Sequence, residues 1–172
     1  TTPPEFPAAA RAAREARDRL APGVPLRLLT NATLFHKDRV RAALAEFDEL
    51  WCKLDAGTEE YFRTVDRSPI SLARVLENIT QAARIRPLVI QSLWMRIRGE
   101  PPPGEEIQAF CQRLRDITAG GGRLSLIQVY TIARPPAESY VAPLSDDEVD
   151  RIAAVVGRET GLPAVAFYGA GA

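Results

Sequence analysis

Two cysteines, one histidine and one methionine are all that 172 residues supply of the side chains suited to soft metals or redox chemistry. Cys52, Cys111 and His36 cannot assemble a four-ligand zinc site or a four-thiolate cluster from within the chain, and the two cysteines make no disulfide framework. An excess of charge is also missing. The 22 basic and 22 acidic side chains cancel, which argues against a dedicated binder of nucleic acid or anionic membrane. No apolar run approaches the roughly 20 residues that cross a bilayer; residues 88–90, for example, are broken by Gln91. No basic start with an apolar stretch marks a secretory signal, so a reducing cytoplasm is the expected compartment. Met95 is the only methionine, and the chain opens Thr1-Thr2-Pro3-Pro4, so a processed or truncated piece is expected.

What is present is the composition of a folded domain, 46% hydrophobic and 26% charged, and a chain of this length can bury a substantial core. Ala-rich residues 7–20 read as a helix with Pro7 in the first turn. Residues 26–30 follow as a short strand. Val40, Ala43, Leu44 and Phe47 then fall on one helical stripe, and residues 50–56 form the next strand. Thr58 is placed to cap a helix whose first turn carries Glu59 and Glu60. Leu72, Val75, Leu76 and Ile79 mark another amphipathic helix before a strand at 88–95. A helix over 104–119 ends at Gly120 to Gly122, and a strand at 124–131 follows. Ser145 and Glu148 form a capping box for a helix burying Val149, Ile152, Ala153 and Val156. Residues 164–168 are the last strand, with a frayed end expected at 169–172.

Strands alternating with single helices imply parallel pairing through right-handed crossovers. The fold class is α/β. About five strands are too few to close an eight-stranded barrel, so a parallel-stranded partial (β/α) barrel, TIM-barrel-like and forming a single domain over 1–172, fits best. The Pro-rich spots at 101–103 and 135–136 read as loops. If the first strands are missing, the strand at 26–30 is an edge open to pairing with other chains.

In parallel α/β folds ligands gather at the carboxyl ends of the strands, and polar residues there call for explanation. Four strands carry them: Thr30 and Asn31; Lys53 and Asp55; Gln91 and Ser92; Gln128 and Tyr130, followed by Thr131. Lys53 and Asp55 are two apart and share a face of an extended strand. An ammonium beside a carboxylate suits a ligand with an anionic group and hydroxyls or amines. The competing account is a solvated strand end at which Asp55 organises the turn. For Thr30 and Asn31 the alternative is a loop-starting bond to backbone, and for Gln91 and Gln128 it is amides satisfied within the sheet. His36 reads as a surface residue, Met95, Trp51 and Trp94 as packing, and Arg11, Arg14 and Arg17 as a solvated helix face. Gly120 to Gly122 lacks phosphate-loop spacing. No metal-ligating set is found.

Leu29-Thr30-Asn31-Ala32, the run Lys53-Leu54-Asp55-Ala56-Gly57-Thr58-Glu59-Glu60-Tyr61-Phe62, and Arg134-Pro135-Pro136-Ala137-Glu138 together resemble the radical SAM superfamily, in its branch related to wyosine-base-forming proteins. The resemblance runs over roughly residues 3–168. It implies a partial (β/α) barrel that binds S-adenosylmethionine and a [4Fe-4S] cluster and cleaves the former reductively to an adenosyl radical. The family's Cys-x3-Cys-x2-Cys motif is absent here, as is the Gly-rich, Glu-Pro segment that holds the methionyl amine. Residues 1–4 look like the stretch just after that segment, so the N-terminal strands and cluster loop would lie outside this chain. By position, the resemblance puts Thr30 and Asn31 near the cofactor, and Lys53 and Asp55 near its carboxylate and ribose. It puts Gln91 and Ser92 on the fifth strand, and Gln128 and Tyr130 on the sixth, near the adenine. The family's usual Thr-Asn-Gly is Thr-Asn-Ala here.

The leading expectation is thus a segment of a radical SAM enzyme, inactive alone, acting on a small molecule and served by an electron donor such as flavodoxin or ferredoxin. Lys53, Asp55 and Thr30 are expected together on the barrel interior. A non-catalytic barrel scaffold or nucleotide-binding module is the alternative from another class. A third reading makes Lys53 a Schiff-base amine.

Overall fold

The computed structural model describes residues 4–169; the expectations placed on 1–3 and 170–172 lie outside them. Helix α1 (Phe6–Leu20) starts with proline in its first turn, as read from the sequence. β1 (Arg27–Thr30) leads to α2 (Asp38–Ala43), which tightens into a 3-10 turn at Leu44–Glu46. β2 (Glu49–Lys53) is shorter than expected, because residues 54–56 already form the loop. α3 (Glu59–Val65) is capped by Thr58, whose side chain accepts from the Tyr61 N–H, and α4 (Leu72–Ile85) by Ser71 in the same way. β3 (Leu88–Leu93), α5 (Gly104–Ala119), β5 (Leu124–Tyr130), α6 (Asp146–Thr160) and β7 (Ala164–Phe167) follow the expected order. The capping box of Ser145 and Glu148 is present, and α6 ends on Gly161 in the left-handed conformation.

β4 (Arg96–Ile97) and β6 (Val141–Ala142) were not foreseen. They pair antiparallel in a separate sheet, which folds the segment after β5 back beside the end of β3. Two-residue strands carry no periodicity to read.

The main sheet has five parallel strands in the order β1-β2-β3-β5-β7. Every crossover therefore steps to the next position in one direction, the winding of a partial barrel. One face carries Leu50, Cys52, Ile90, Ile127 and Val129, which join Val75, Ile79, Phe110, Leu114, Val149 and Val156 of the helices in one core. The opposite face is partly open: Trp51, Lys53, Gln91, Leu93 and Tyr130 are half-buried, and Leu29, Val165 and Phe167 are exposed. No helix among the described residues is long and apolar enough to cross a membrane.

Gly57, between β2 and α3, is where this packing is tightest. A Cβ there would fall 2.1 Å from the Phe110 nitrogen of α5, so only glycine lets the loop lie against the helix backbone. Glu106, also on α5, fixes the same loop: its carboxylate accepts from the N–H groups of Gly57 and Thr58 and from the Thr58 hydroxyl. Arg14 and Arg17 are not a purely solvated face. Arg14 donates to the Glu46 carbonyl at 3.0 Å, and Arg17 pairs with Asp48, tying α1 to the start of β2.

Candidate functional site

β2, β3 and β5 lie side by side, and their register sets Lys53 beside Gln91 and Gln91 beside Gln128 on the open face. Two residues on, Leu93 stands beside Tyr130. Where β2 ends, Asp55 turns back into the sheet and is buried. One of its oxygens accepts from the Leu93 N–H at 2.7 Å, and the other takes the Lys53 ammonium at 2.9 Å. Lys53 also donates to the Tyr130 hydroxyl at 2.8 Å and lies 5.5 Å from the centre of that ring. The Gln91 amide donates to the Gln128 carbonyl oxygen at 2.6 Å. A lysine, a carboxylate, a phenol and an amide pair are thereby gathered at the carboxyl ends of three adjacent strands, the position at which such sheets bind ligands. The Lys53 side chain keeps 28% of its surface exposed, against 6% for Asp55, so the cation is the group a ligand can reach.

Burial works against the charge on Lys53, but the Asp55 carboxylate and the Tyr130 oxygen outweigh it, and the lysine's pKa is raised. Burial pushes the Asp55 carboxyl upward, opposed by Lys53 and the Leu93 N–H. Tyr130 is raised by burial and by Asp55. An amine held as an ammonium by a carboxylate is not a nucleophile at neutral pH, so the Schiff-base reading of Lys53 is set aside.

Register separates the other expected residues from this cluster. Thr30 is aligned with Cys52, whose side chain is buried under the helices, so the expectation that Thr30 shares the interior face with Lys53 is corrected. Its hydroxyl accepts from the Ala32 N–H at 3.1 Å. Asn31 accepts from the Thr33 N–H and hydroxyl, so both residues build the loop after β1. Ser92 is aligned with Val129 and wholly buried on the helix side, and its hydroxyl has no partner among the described residues. Since successive strand residues face opposite ways, Gln91 and Ser92 cannot both reach the open face.

Tyr61 of α3 and Asp66, which caps that helix, feel the charges of the cluster and were not singled out. The Tyr61 hydroxyl and one Asp66 carboxyl oxygen are buried without a hydrogen-bond partner among the described residues. The Asp55 charge bears on both. Burial, then Asp55, lifts the Asp66 carboxyl from 3.8 to about 7, with Lys53 pulling the other way. Burial, then Glu106 and Asp55, lifts Tyr61 to about 12. No spacing rule exposes Asp66, because its seclusion is made by tertiary packing.

The cysteines do not fit an iron–sulfur cluster. Cys52 lies in the core on β2, with burial raising its thiol to about 12, and Cys111 is buried on α5. No group of three His, Cys, Asp or Glu side chains among the described residues is placed to hold a metal ion.

No family model matches the chain. It is 30% identical over 130 residues to a UPF0026 protein of Helicobacter pylori strain 26695, covering 74% of this chain and 40% of that protein. The UPF0026 protein of strain J99 gives 32% over 130 residues, with the same coverage. The chain thus spans well under half the length of the curated relatives it matches. A crystal structure of a domain of pyruvate-formate lyase-activating enzyme from Bacteroides vulgatus superposes with a TM-score of 0.67 at 14% identity, covering 96% of this chain and 95% of that one. A radical SAM methyltransferase from Sphaerobacter thermophilus gives 0.66 at 14% identity, over 95% of this chain and 47% of its own. With its five parallel strands wound in one direction and these two structures overlying nearly all of it, the chain shares the fold of both, an α/β partial barrel.

Proposed function

We propose that this chain is part of a radical SAM enzyme and forms the wall of the barrel against which S-adenosylmethionine lies, while the thiolates for the [4Fe-4S] cluster come from protein outside it. The observation that carries the reading is the half-exposed Lys53 ammonium, held by buried Asp55 and by Tyr130 at the strand ends. Lys53 offers charge to the methionyl carboxylate. Asp55, satisfied by Lys53 and the Leu93 N–H, fixes the lysine's direction and does not itself need to touch the ligand. The amide pair of Gln91 and Gln128, with Tyr130, forms the adjoining surface for the nucleoside or the substrate. Thr30 and Asn31 shape the neighbouring loop from the backbone side. A small-molecule substrate and an electron donor of the flavodoxin or ferredoxin kind belong to the same proposal.

Titration calorimetry of S-adenosylmethionine against this chain, and against the chain extended by its upstream coding sequence, tests the reading. Saturable binding that Lys53→Met weakens at least tenfold is expected. Absence of binding by both proteins, or undiminished binding by Lys53→Met, overturns it.

A further inference from the structure

Thr131, directly after Tyr130 at the end of β5, is buried, and its hydroxyl closes a loop. It donates to the Trp94 carbonyl at 2.9 Å and accepts from the Leu144 N–H at 2.8 Å, so residues 132–143 leave the sheet and return to one buried point. A surface loop with its ends clasped together is an Ω-loop, a form that frequently carries function. The clasp is one residue from the polar cluster on two strands. Tyr130 precedes Thr131, and Leu93, whose N–H holds Asp55, precedes Trp94.

The far side of the loop is held differently. Arg67, just past α3, donates to the Glu138 carboxylate at 2.9 Å and to the Tyr140 hydroxyl at 2.5 Å. The Tyr140 carbonyl accepts from the Arg98 N–H at 2.6 Å, in a turn that Ile97 and Glu100 close by exchanging both backbone bonds. Tyr140 is thus the meeting point of the segments that follow β2, β3 and β5, the strands that carry Lys53, Gln91 and Tyr130. A junction of those three segments bridges the strand ends at which the cluster opens. Its ion pair lies in solvent: the Arg67 and Glu138 side chains keep 56% and 43% of their surface exposed, and such pairs hold weakly and are screened by salt. Arg67 and Arg98 also occupy φ 49 and 54, left-handed values that are unfavourable for any residue with a Cβ. The base of the loop is therefore fixed and buried, while its tip is exposed and held against a backbone preference.

We infer that residues 132–140 are a lid over the polar cluster, fixed at Thr131 and latched at Tyr140 by Arg67, and that a ligand enters and leaves when the latch opens. The inference rests on the proposed ligand site for what the lid covers. Arg67 does not touch the ligand; it sets how often the lid is open.

Site-resolved hydrogen exchange on the full-length protein reads the latch directly, because the Arg98 N–H is bonded to the lid while the Glu100 N–H is bonded within its own turn. Arg67→Met should speed exchange at Arg98 about fivefold or more, the scale of one exposed charge-assisted pair, and leave Glu100 within about twofold. Glu138→Gln, which keeps the bond from Arg67 to Tyr140, should give a smaller change of the same kind. Saturating S-adenosylmethionine should slow exchange at Arg98 in the wild type. In stopped-flow mixing, Arg67→Met should take up and release S-adenosylmethionine faster, each by about threefold or more, with Kd moving less than either rate. Equal acceleration at Arg98 and Glu100, unchanged exchange at Arg98 in both variants, or binding of S-adenosylmethionine at unchanged rates by Arg67→Met overturns the lid and leaves the ligand site standing. Absence of S-adenosylmethionine binding by the wild type overturns the ligand site, and the lid's role with it.

Discussion

Glu106 is the side chain whose loss should most clearly loosen the loop that carries Asp55. Its carboxylate is 5% exposed and sits between the starts of α3 and α5, accepting three hydrogen bonds from Gly57 and Thr58. Hydrogen bonds to a charged group contribute about 1.5–3 kcal/mol each and are not additive. Glu106→Ala removes all three and leaves the buried Gly57 N–H unpaired, so a loss of about 3–5 kcal/mol is expected, a large share of a domain's usual 5–15 kcal/mol. Glu106→Gln keeps one oxygen to receive the two N–H groups, and the Thr58 hydroxyl can rotate to accept from the new amide; about 1–2 kcal/mol should be lost. Urea unfolding followed by tryptophan fluorescence suits the question, because Trp94 packs edge-on against Phe110, 5.4 Å away on the same helix as Glu106. A Glu106→Ala protein within about 1 kcal/mol of wild type, or a Gln variant as damaged as the Ala variant, would refute the reasoning.

Gly57→Ala should destabilise by about 3 kcal/mol or more, read from the same melts, because a Cβ 2.1 Å from the Phe110 nitrogen must push loop and helix apart. Both thiols should resist iodoacetamide in the native protein and react fully in denaturant, since burial raises Cys52 to about 12 and raises Cys111 as well; rapid native labelling of either would contradict their placement. Asp66 should leave a mark on stability against pH: with a folded pKa of about 7 above its ordinary 3.8, its contribution is fully present below about pH 4 and lost as pH rises through 7. Asp66→Asn should flatten that decline, and an unchanged slope between the two proteins would count against it. Leu29, Val165 and Phe167 are 57%, 45% and 43% exposed on one sheet face, so sedimentation of this chain should show self-association that Leu29→Lys reduces.

The helices could be read from the sequence because their signals are local. Thr58, Ser145 with Glu148, and the glycines after Ala119 act within one turn of themselves, and each does in the structure what its chemistry dictates. Lys53 and Asp55 were legible as a pair from their closeness in sequence, but β2 stops at Lys53 and Asp55 meets the lysine from the loop beyond it, so the shared face of one strand was not the reason. What could not be read is the phase of one strand against another. Whether Thr30 faces Lys53 or Cys52 is fixed by how β1 docks beside β2, which depends on helices packed behind both. Ala32 shows a finer mismatch: it occupies φ 57, a left-handed position that favours glycine, at the place where the resembled family has one. Its methyl is fully buried, and the Asn78 amide donates to its carbonyl at 2.8 Å, so packing and a hydrogen bond hold a conformation the residue would not choose. Asp66 was invisible for a related reason: the charges that bear on it come from the end of β2, and no helical or strand spacing relates them to it.

The winding of the sheet has a consequence for the order in which the chain is made. Each strand of the main sheet lies against the main-sheet strand synthesised before it, and polar links between neighbouring strand ends join residues 37 or 38 apart, as in Gln91 with Gln128 and Asp55 with Leu93. A chain leaving the ribosome at about 5–20 residues per second therefore releases a new pairing partner every few seconds, and the edge it needs is already in place. No strand has to wait for a later one to open a slot, as a central strand flanked on both sides by distant segments would. The growing sheet always has one fresh edge, and that edge is where a chaperone, or a mistaken neighbour, would first take hold.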